Sequence, residues 1–240
     1  MKKPTSLIIS ILFFATSISW AATEKDKSDV EKEGDQTFTK ERILQIDKNG
    51  KLIQADKKGE TEEEKWIHKG ADAFKAMNYE EAIKCFKKAI AINPSNEEIH
   101  YNLGIAYHDK GTLDEAITAF KKALALNPGY ADAHYNLGIT YDQKEMLDKA
   151  IVEFKEVIAI ESNSADAHHN LGYTYYKKGL NSMAADHLYR AGLLNLEQGN
   201  EKWALKAYDD LKLTNSKELE QKLYEKLYPD RKRKKSKDSK

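Results

Sequence analysis

Three histidines recur in register, His100, His134 and His168, and evenly spaced imidazoles are the feature of this chain that most resembles a metal-binding set. Their interval of about 34 residues, however, is that of one helix pair. Neighbouring helices pack roughly 10 Å apart, whereas zinc holds its nitrogens at about 2 Å. The three are therefore expected as core-facing rungs, and adjacent His168 and His169 fall on different faces of one helix, which weakens chelation further. Cys85 is the single cysteine, so it can form no internal disulfide. At the same interval its place is taken by Ala119, Glu153 and His187, a series that tolerates polarity. This places Cys85 near the surface, as an inert thiol or as one half of an intermolecular disulfide. The string Asp47-Lys48-Asn49-Gly50 begins like a calcium loop but lacks the remaining ligands. The sequence holds no phosphate-cradling glycine loop, nucleophile elbow or paired-cysteine motif. It thus predicts no catalytic residue, no metal site and no cofactor.

The elements that carry these residues follow from the repetition. Leu103-Gly104 returns as Leu137-Gly138 and Leu171-Gly172, and Tyr107 returns as Tyr141 and Tyr175. His100, Leu103, Gly104 and Tyr107 stand at i, i+3, i+4 and i+7, one stripe of a helix. A second helix is expected from Thr112, with Glu115 completing a capping box and Ala116, Ile117, Phe120, Ala123 and Leu124 on its apolar side. Glycine inside a helix costs roughly 1 kcal/mol against alanine, so Gly104, Gly138 and Gly172 imply a close approach. Ala116, Ala150 and Ala184 are the expected partners.

This pattern resembles the tetratricopeptide repeat: His100, Leu103-Gly104, Tyr107, Ala116, Phe120, Ala123 and Pro128 stand at the family positions. The resemblance implies an all-α, right-handed superhelix, an α-solenoid of about four repeats over residues 63–96, 97–130, 131–164 and 165–198. In the first repeat Trp66, Gly70, Ala82, Phe86, Ala89 and Pro94 match, while Lys69 and Ala73 depart from the pattern. The fourth keeps Leu171-Gly172 but has Leu188 for phenylalanine, as terminal repeats do. Residues 199–228 are read as a half-repeat, with Ala204, Tyr208 and Leu211, followed by a capping helix carrying Leu219, Leu223 and Leu227. The resemblance further implies a concave groove lined by a second stripe of each first helix. Those positions hold Glu98, Tyr101, Asn102 and Ile105, then Asp132, Tyr135, Asn136 and Ile139, then Asp166, His169, Asn170 and Tyr173. Family members that clamp a terminal carboxylate place Lys and Arg there. Acids stand there in this chain, so a basic or apolar-basic segment of a partner protein is the expected occupant, with the asparagines on its backbone.

Composition sets the surroundings of this array. Among 240 residues, 39 Lys and Arg balance 39 Asp and Glu, which argues against nucleic acid as a partner. Lys2 and Lys3 precede an apolar run over residues 7–18, and Ser19 and Ala21 are the small residues of a cleavage site. Residues 1–21 are therefore expected to be a signal peptide, cleaved after Ala21, placing the protein in a bacterial periplasm or outside the cell. The alternative is an uncleaved anchor, which would make the chain a membrane-tethered accessory subunit; a glycan-binding or enzyme-associated envelope protein is a further alternative. Residues 22–41 read as a flexible charged leader, and 42–62 as a small β-hairpin around Asn49-Gly50 with a linker. Pairing across that two-residue turn sets Leu44 opposite Ala55 and Ile46 opposite Ile53. Residues 229–240, with Arg231, Lys232, Arg233, Lys234 and Lys235, form a basic tail expected to be disordered and able to touch an anionic membrane surface or a second copy of the chain.

Overall fold

A computed structural model describes residues 60–229 and, ahead of them, the backbone of 44–46 and 52–54. The expected signal peptide, the leader and the basic tail beyond Pro229 lie outside the described residues. The earlier part forms its own unit, residues 1–57, in which β1 (Leu44–Ile46) and β2 (Leu52–Gln54) pair antiparallel. The hairpin is present, but its register corrects the expectation. Leu44 pairs with Gln54, Gln45 with Ile53 and Ile46 with Leu52, so an odd number of residues joins the paired positions. Odd-numbered connections also favour glycine, so Asn49-Gly50 signals a hairpin without fixing its length. A one-residue slip moves a strand to its other face, and the grouping of Leu44 and Ile46 with Ile53 and Ala55 is lost.

The second unit is built of helices in consecutive packed pairs, an α-solenoid. Helices α1 (Glu62–Lys75) and α2 (Tyr79–Ile92) form the first repeat, and α3 (Glu97–Lys110) and α4 (Leu113–Leu126) the second. The third is α5 (Ala131–Gln143) with α6 (Leu147–Ile160), and the fourth α7 (Ala165–Lys177) with α8 (Asn181–Glu197). Helices α9 (Glu201–Lys212) and α10 (Lys217–Leu227) close the series. Each second helix packs on its own first helix and on the next, as α2 does on α1 and α3. First helices also touch one another, α3 with α5 and α5 with α7, and the second helices show no comparable contact. The first helices therefore crowd the inner, concave side.

Glycine sets the spacing within each pair. A Cβ on Gly70, Gly104 or Gly138 would lie 2.7, 2.6 or 2.7 Å from the ring of Phe86, Phe120 or Phe154. The approaching group is thus the phenylalanine ring, not the expected alanine, although Ala116 and Ala150 are fully buried beside it. The reason is directional: a helical side chain leans toward the N-terminus, so the ring comes to lie back over the turn that holds the alanine. At Gly172 an alanine is among the nearest groups, through the Ala184 carbonyl 3.1 Å from the added Cβ, with Leu188 nearer at 2.8 Å.

Two terminal devices also differ from expectation. Thr112 does stand at the N-cap of α4 but makes no side-chain cap; its hydroxyl donates at 3.1 Å to the Tyr107 carbonyl, which also accepts from the Thr112 N–H at 2.9 Å, so the residue closes the end of α3. The capping box lies instead at Thr61 and Glu64, where Glu64 accepts from the Thr61 backbone at 2.7 Å and the Thr61 hydroxyl from the Glu64 N–H at 3.2 Å. At the far end α8 is long enough, at 17 residues, to serve both α7 and α9. Gly192 of α8 receives Leu223 of α10, whose Cδ2 would lie 2.5 Å from an added Cβ. Tyr208, the residue at the ring position by sequence, stacks beside Tyr224 instead. Leu223 and Leu227 join Ala185, Leu188, Ala204 and Leu211 in one buried cluster.

Candidate binding face

The members of the second stripe of the first helices divide into those that hold the array and those that remain open. Asn136 donates to the Tyr101 hydroxyl at 3.1 Å and to the Asp132 carbonyl at 2.9 Å. Asn170 donates to the Tyr135 hydroxyl at 2.8 Å. Both amides therefore tie one repeat to the one before. Asn102 is buried as well, and one interval before Tyr101 stands Ile67, which has no hydroxyl to offer an equivalent bond. Tyr101 is only 4% exposed, packed between Phe120 and Tyr130 with ring centroids 5.9 and 4.9 Å away. Its ring is therefore covered by its neighbours, although its position is expected to line the groove.

The acids keep the face negative. Burial is the largest cause of the raised pKa of Tyr101 and of Tyr130, and the charge of Asp132 adds to both, that of Glu98 to Tyr130. Burial and then Asp166 push Tyr135 up to about 12. Acid and tyrosine thus share this face in successive repeats. Asp132 is open to solvent on one side, the packing beneath it raises its carboxyl pKa, and no cation forms a salt bridge with it among the described residues. Ile105 and Ile139 are half-buried and Tyr173 is 40% exposed, giving the face its apolar component.

His169 belongs to the structure of the array. Its Nε2 lies 2.7 Å from Asp210 Oδ2 on α9, and Lys206 Nζ lies 3.0 Å from the same oxygen. Burial raises the Asp210 pKa, but these two hydrogen bonds outweigh it and hold the carboxyl below its ordinary value. Tyr130 is the face residue that sequence reasoning missed. It stands where the other repeats have Asn96 and Ser164, and that break in the column was the available signal.

The histidine column consists of rungs: His100 and His168 are buried and His134 half-buried. Among the described residues no three His, Cys, Asp or Glu side chains gather as a metal site would require. Cys85 is fully buried, which corrects its expected surface position. Glu153 and His187, the polar residues that share its column, are half-buried and paired with His134 and His168. Burial is the main cause that pushes the Cys85 thiol pKa up.

The fold and this face define a helical-repeat scaffold, with no feature of a reaction centre among the described residues. A family model described as TPR repeat matches residues 74–111, 106–145 and 141–179. Residues 74–179 are thus tetratricopeptide repeats, a class of typically non-catalytic modules for protein interaction. Among solved structures, a crystal structure of MamA protein is similar at 25% identity, over 72% of this chain and 94% of its own, with a TM-score of 0.60. A second MamA crystal structure shares 24% identity over 71% and 97% of the two chains, with a TM-score of 0.57. No curated protein matches the chain significantly.

Proposed function

We propose that this protein is an envelope scaffold that holds an extended, basic or apolar-basic segment of a partner protein in its concave face. The observation that carries the reading is the row of acids, Glu98, Asp132 and Asp166, repeated once per helix pair on that face, with the Asp132 pKa raised by burial and no salt-bridge partner for it among the described residues. A carboxylate so placed gains most from an incoming ammonium or guanidinium, and the acidic row rejects carboxylates. Ile105, Ile139 and Tyr173 receive the apolar side chains of the segment. Export rests on the N-terminal sequence, Lys2 and Lys3 ahead of the apolar run and Ala21 at the cleavage position.

The test of the face is a fluorescent decapeptide of alternating lysine and leucine, measured against the full-length chain and the triple variant Glu98→Lys, Asp132→Lys, Asp166→Lys. Binding that weakens with salt and is abolished in the variant, with unchanged helical content, supports the reading. Equal binding to both proteins moves the contact elsewhere. Export is tested by the intact mass of protein recovered from a bacterial periplasm, which should correspond to a chain starting at Ala22; an uncleaved mass indicates the tethered form.

A further inference from the structure

In three successive first helices the repeated histidine donates from Nε2 to the carbonyl six residues before it. His100 reaches Pro94 at 2.9 Å, His134 reaches Pro128 at 3.1 Å and His168 reaches Ser162 at 3.4 Å. The other ring nitrogen is met by the second helix of the same repeat. In the third repeat Glu153 lies 2.7 Å from Nδ1 of His134, and in the fourth His187 lies 3.0 Å from Nδ1 of His168. In the second repeat the corresponding residue is Ala119, which has no polar atom to give. Nδ1 of His100 has no hydrogen-bond partner among the described residues, although the residue is only 7% exposed.

The short side chain also leaves room. A cleft of about 720 Å³ opens here between α2 and α4, with His100, Leu103 and Tyr107 among its lining. Lys87, Lys121 and Lys122 stand around it. Lys87 lies over the ring of Tyr107, itself part of the lining, at 5.5 Å, which holds its ammonium group near the cleft, while Lys121 lies over the Tyr141 ring of the next repeat at 5.9 Å. Of its two acids, Asp114 is already paired with Lys144 at 2.7 Å, leaving Glu115.

We propose that this cleft is a second docking site, on the second-helix side of the array, and that it takes an acidic side chain borne on an apolar segment of a partner protein. The carboxylate occupies beside His100 the place that Glu153 occupies beside His134. With Nε2 committed to Pro94, a protonated ring presents Nδ1–H to that carboxylate in a charge-assisted hydrogen bond. The three lysines favour the same charge and oppose a basic occupant. Leu103 and Ala119 receive the methylenes. The proposal does not depend on the concave face, whose acids select the opposite charge.

The experiment titrates the isotope-labelled full-length chain with two blocked decapeptides of leucine, serine and alanine, one with a central glutamate and its twin with glutamine. The glutamate peptide should shift the amide resonances of α2 and α4 at the cleft. It should bind at least tenfold more tightly than its twin, and at least tenfold more weakly to Ala119→Glu. That variant is expected to fold, since the third repeat already contains the same pair. Lys121→Gln with Lys122→Gln, both exposed, should weaken binding about threefold without touching the core. Equal affinity for the twins, unimpaired binding to Ala119→Glu, shifts confined to the concave tyrosines, or no shift at peptide saturation would each overturn the proposal. A concentration-dependent dimer lost in Ala119→Glu would assign the cleft to a second copy of the chain and overturn it equally.

Discussion

Asn170 donates to the hydroxyl of Tyr135 at 2.8 Å, and Asn136 makes the equivalent bond to Tyr101 at 3.1 Å, so each joins a first helix to the one before it. A net hydrogen bond of this kind is worth about 1 kcal/mol. Asn136→Ala and Asn170→Ala should each lower unfolding stability by roughly that amount, and Tyr135→Phe should lose a similar share, in urea titrations monitored by circular dichroism. If both alanine variants keep wild-type midpoints, the bonds do not couple the repeats.

Gly104→Ala tests the ring contact. Helix propensity alone favours the change by roughly 1 kcal/mol, but the new methyl would lie 2.6 Å from the fully buried Phe120 ring. Overpacking of this kind costs about 1–3 kcal/mol, so the variant should melt earlier. Adding Phe120→Leu, which removes the ring face, should recover part of the loss. A stabilised single variant would show that the ring moves aside freely.

Acid should loosen the carboxy-terminal half of the array. His187 stacks between His168 and Tyr175 and has its pKa lowered to about 4, by burial first and then by the charge of His168; burial lowers His168 too. An unfolded histidine takes its proton near its ordinary value of about 6.5, so below that pH the unfolded chain binds the proton first. The contribution is complete above about 6.5 and is lost as pH falls toward 4. Urea midpoints should therefore drop between pH 7 and pH 5, and His187→Phe, which keeps a stacking ring, should flatten that drop. An identical pH slope in the variant would assign the effect to other groups.

Cys85 should resist thiol reagents in the native protein, because its side chain is closed from solvent and burial raises its pKa. Maleimide labelling should proceed at the rate of unfolding and rise steeply through the urea transition. Rapid labelling without denaturant, or a disulfide-linked dimer on a non-reducing gel, would mean that the first repeat opens locally.

The helical periodicity was fully readable in the sequence, because buried positions in a repeat array recur at a fixed interval and average out local exceptions. Helix pairs, the glycine notches and the histidine rungs all follow from it. What it could not supply was the partner of each exception. The columns marked the glycines as close approaches, but only side-chain direction identifies Phe120 rather than Ala116 as the approaching group. Cys85 was misplaced because a column that includes Glu153 and His187 looks solvated until their pairing with His134 and His168 is seen. Spacing groups the stripe of the candidate face, yet it does not distinguish an asparagine aimed at a ligand from one aimed at the tyrosine of the previous repeat.

The meeting of Gly192 with Leu223 decides how an array of this kind can change its length. In the first three repeats the notch is filled from within the same 34-residue unit, so a unit can be copied or removed together with its own filler. At Gly192 the filler comes from α10, beyond an intervening helix. A repeat appended after α10 would find that notch already taken, whereas one inserted between α4 and α5 would meet helix pairs of the same kind on both sides. Copying a unit is therefore simpler in the middle of the array than at the Gly192 notch, a difference that gene duplication and protein engineering alike would have to respect.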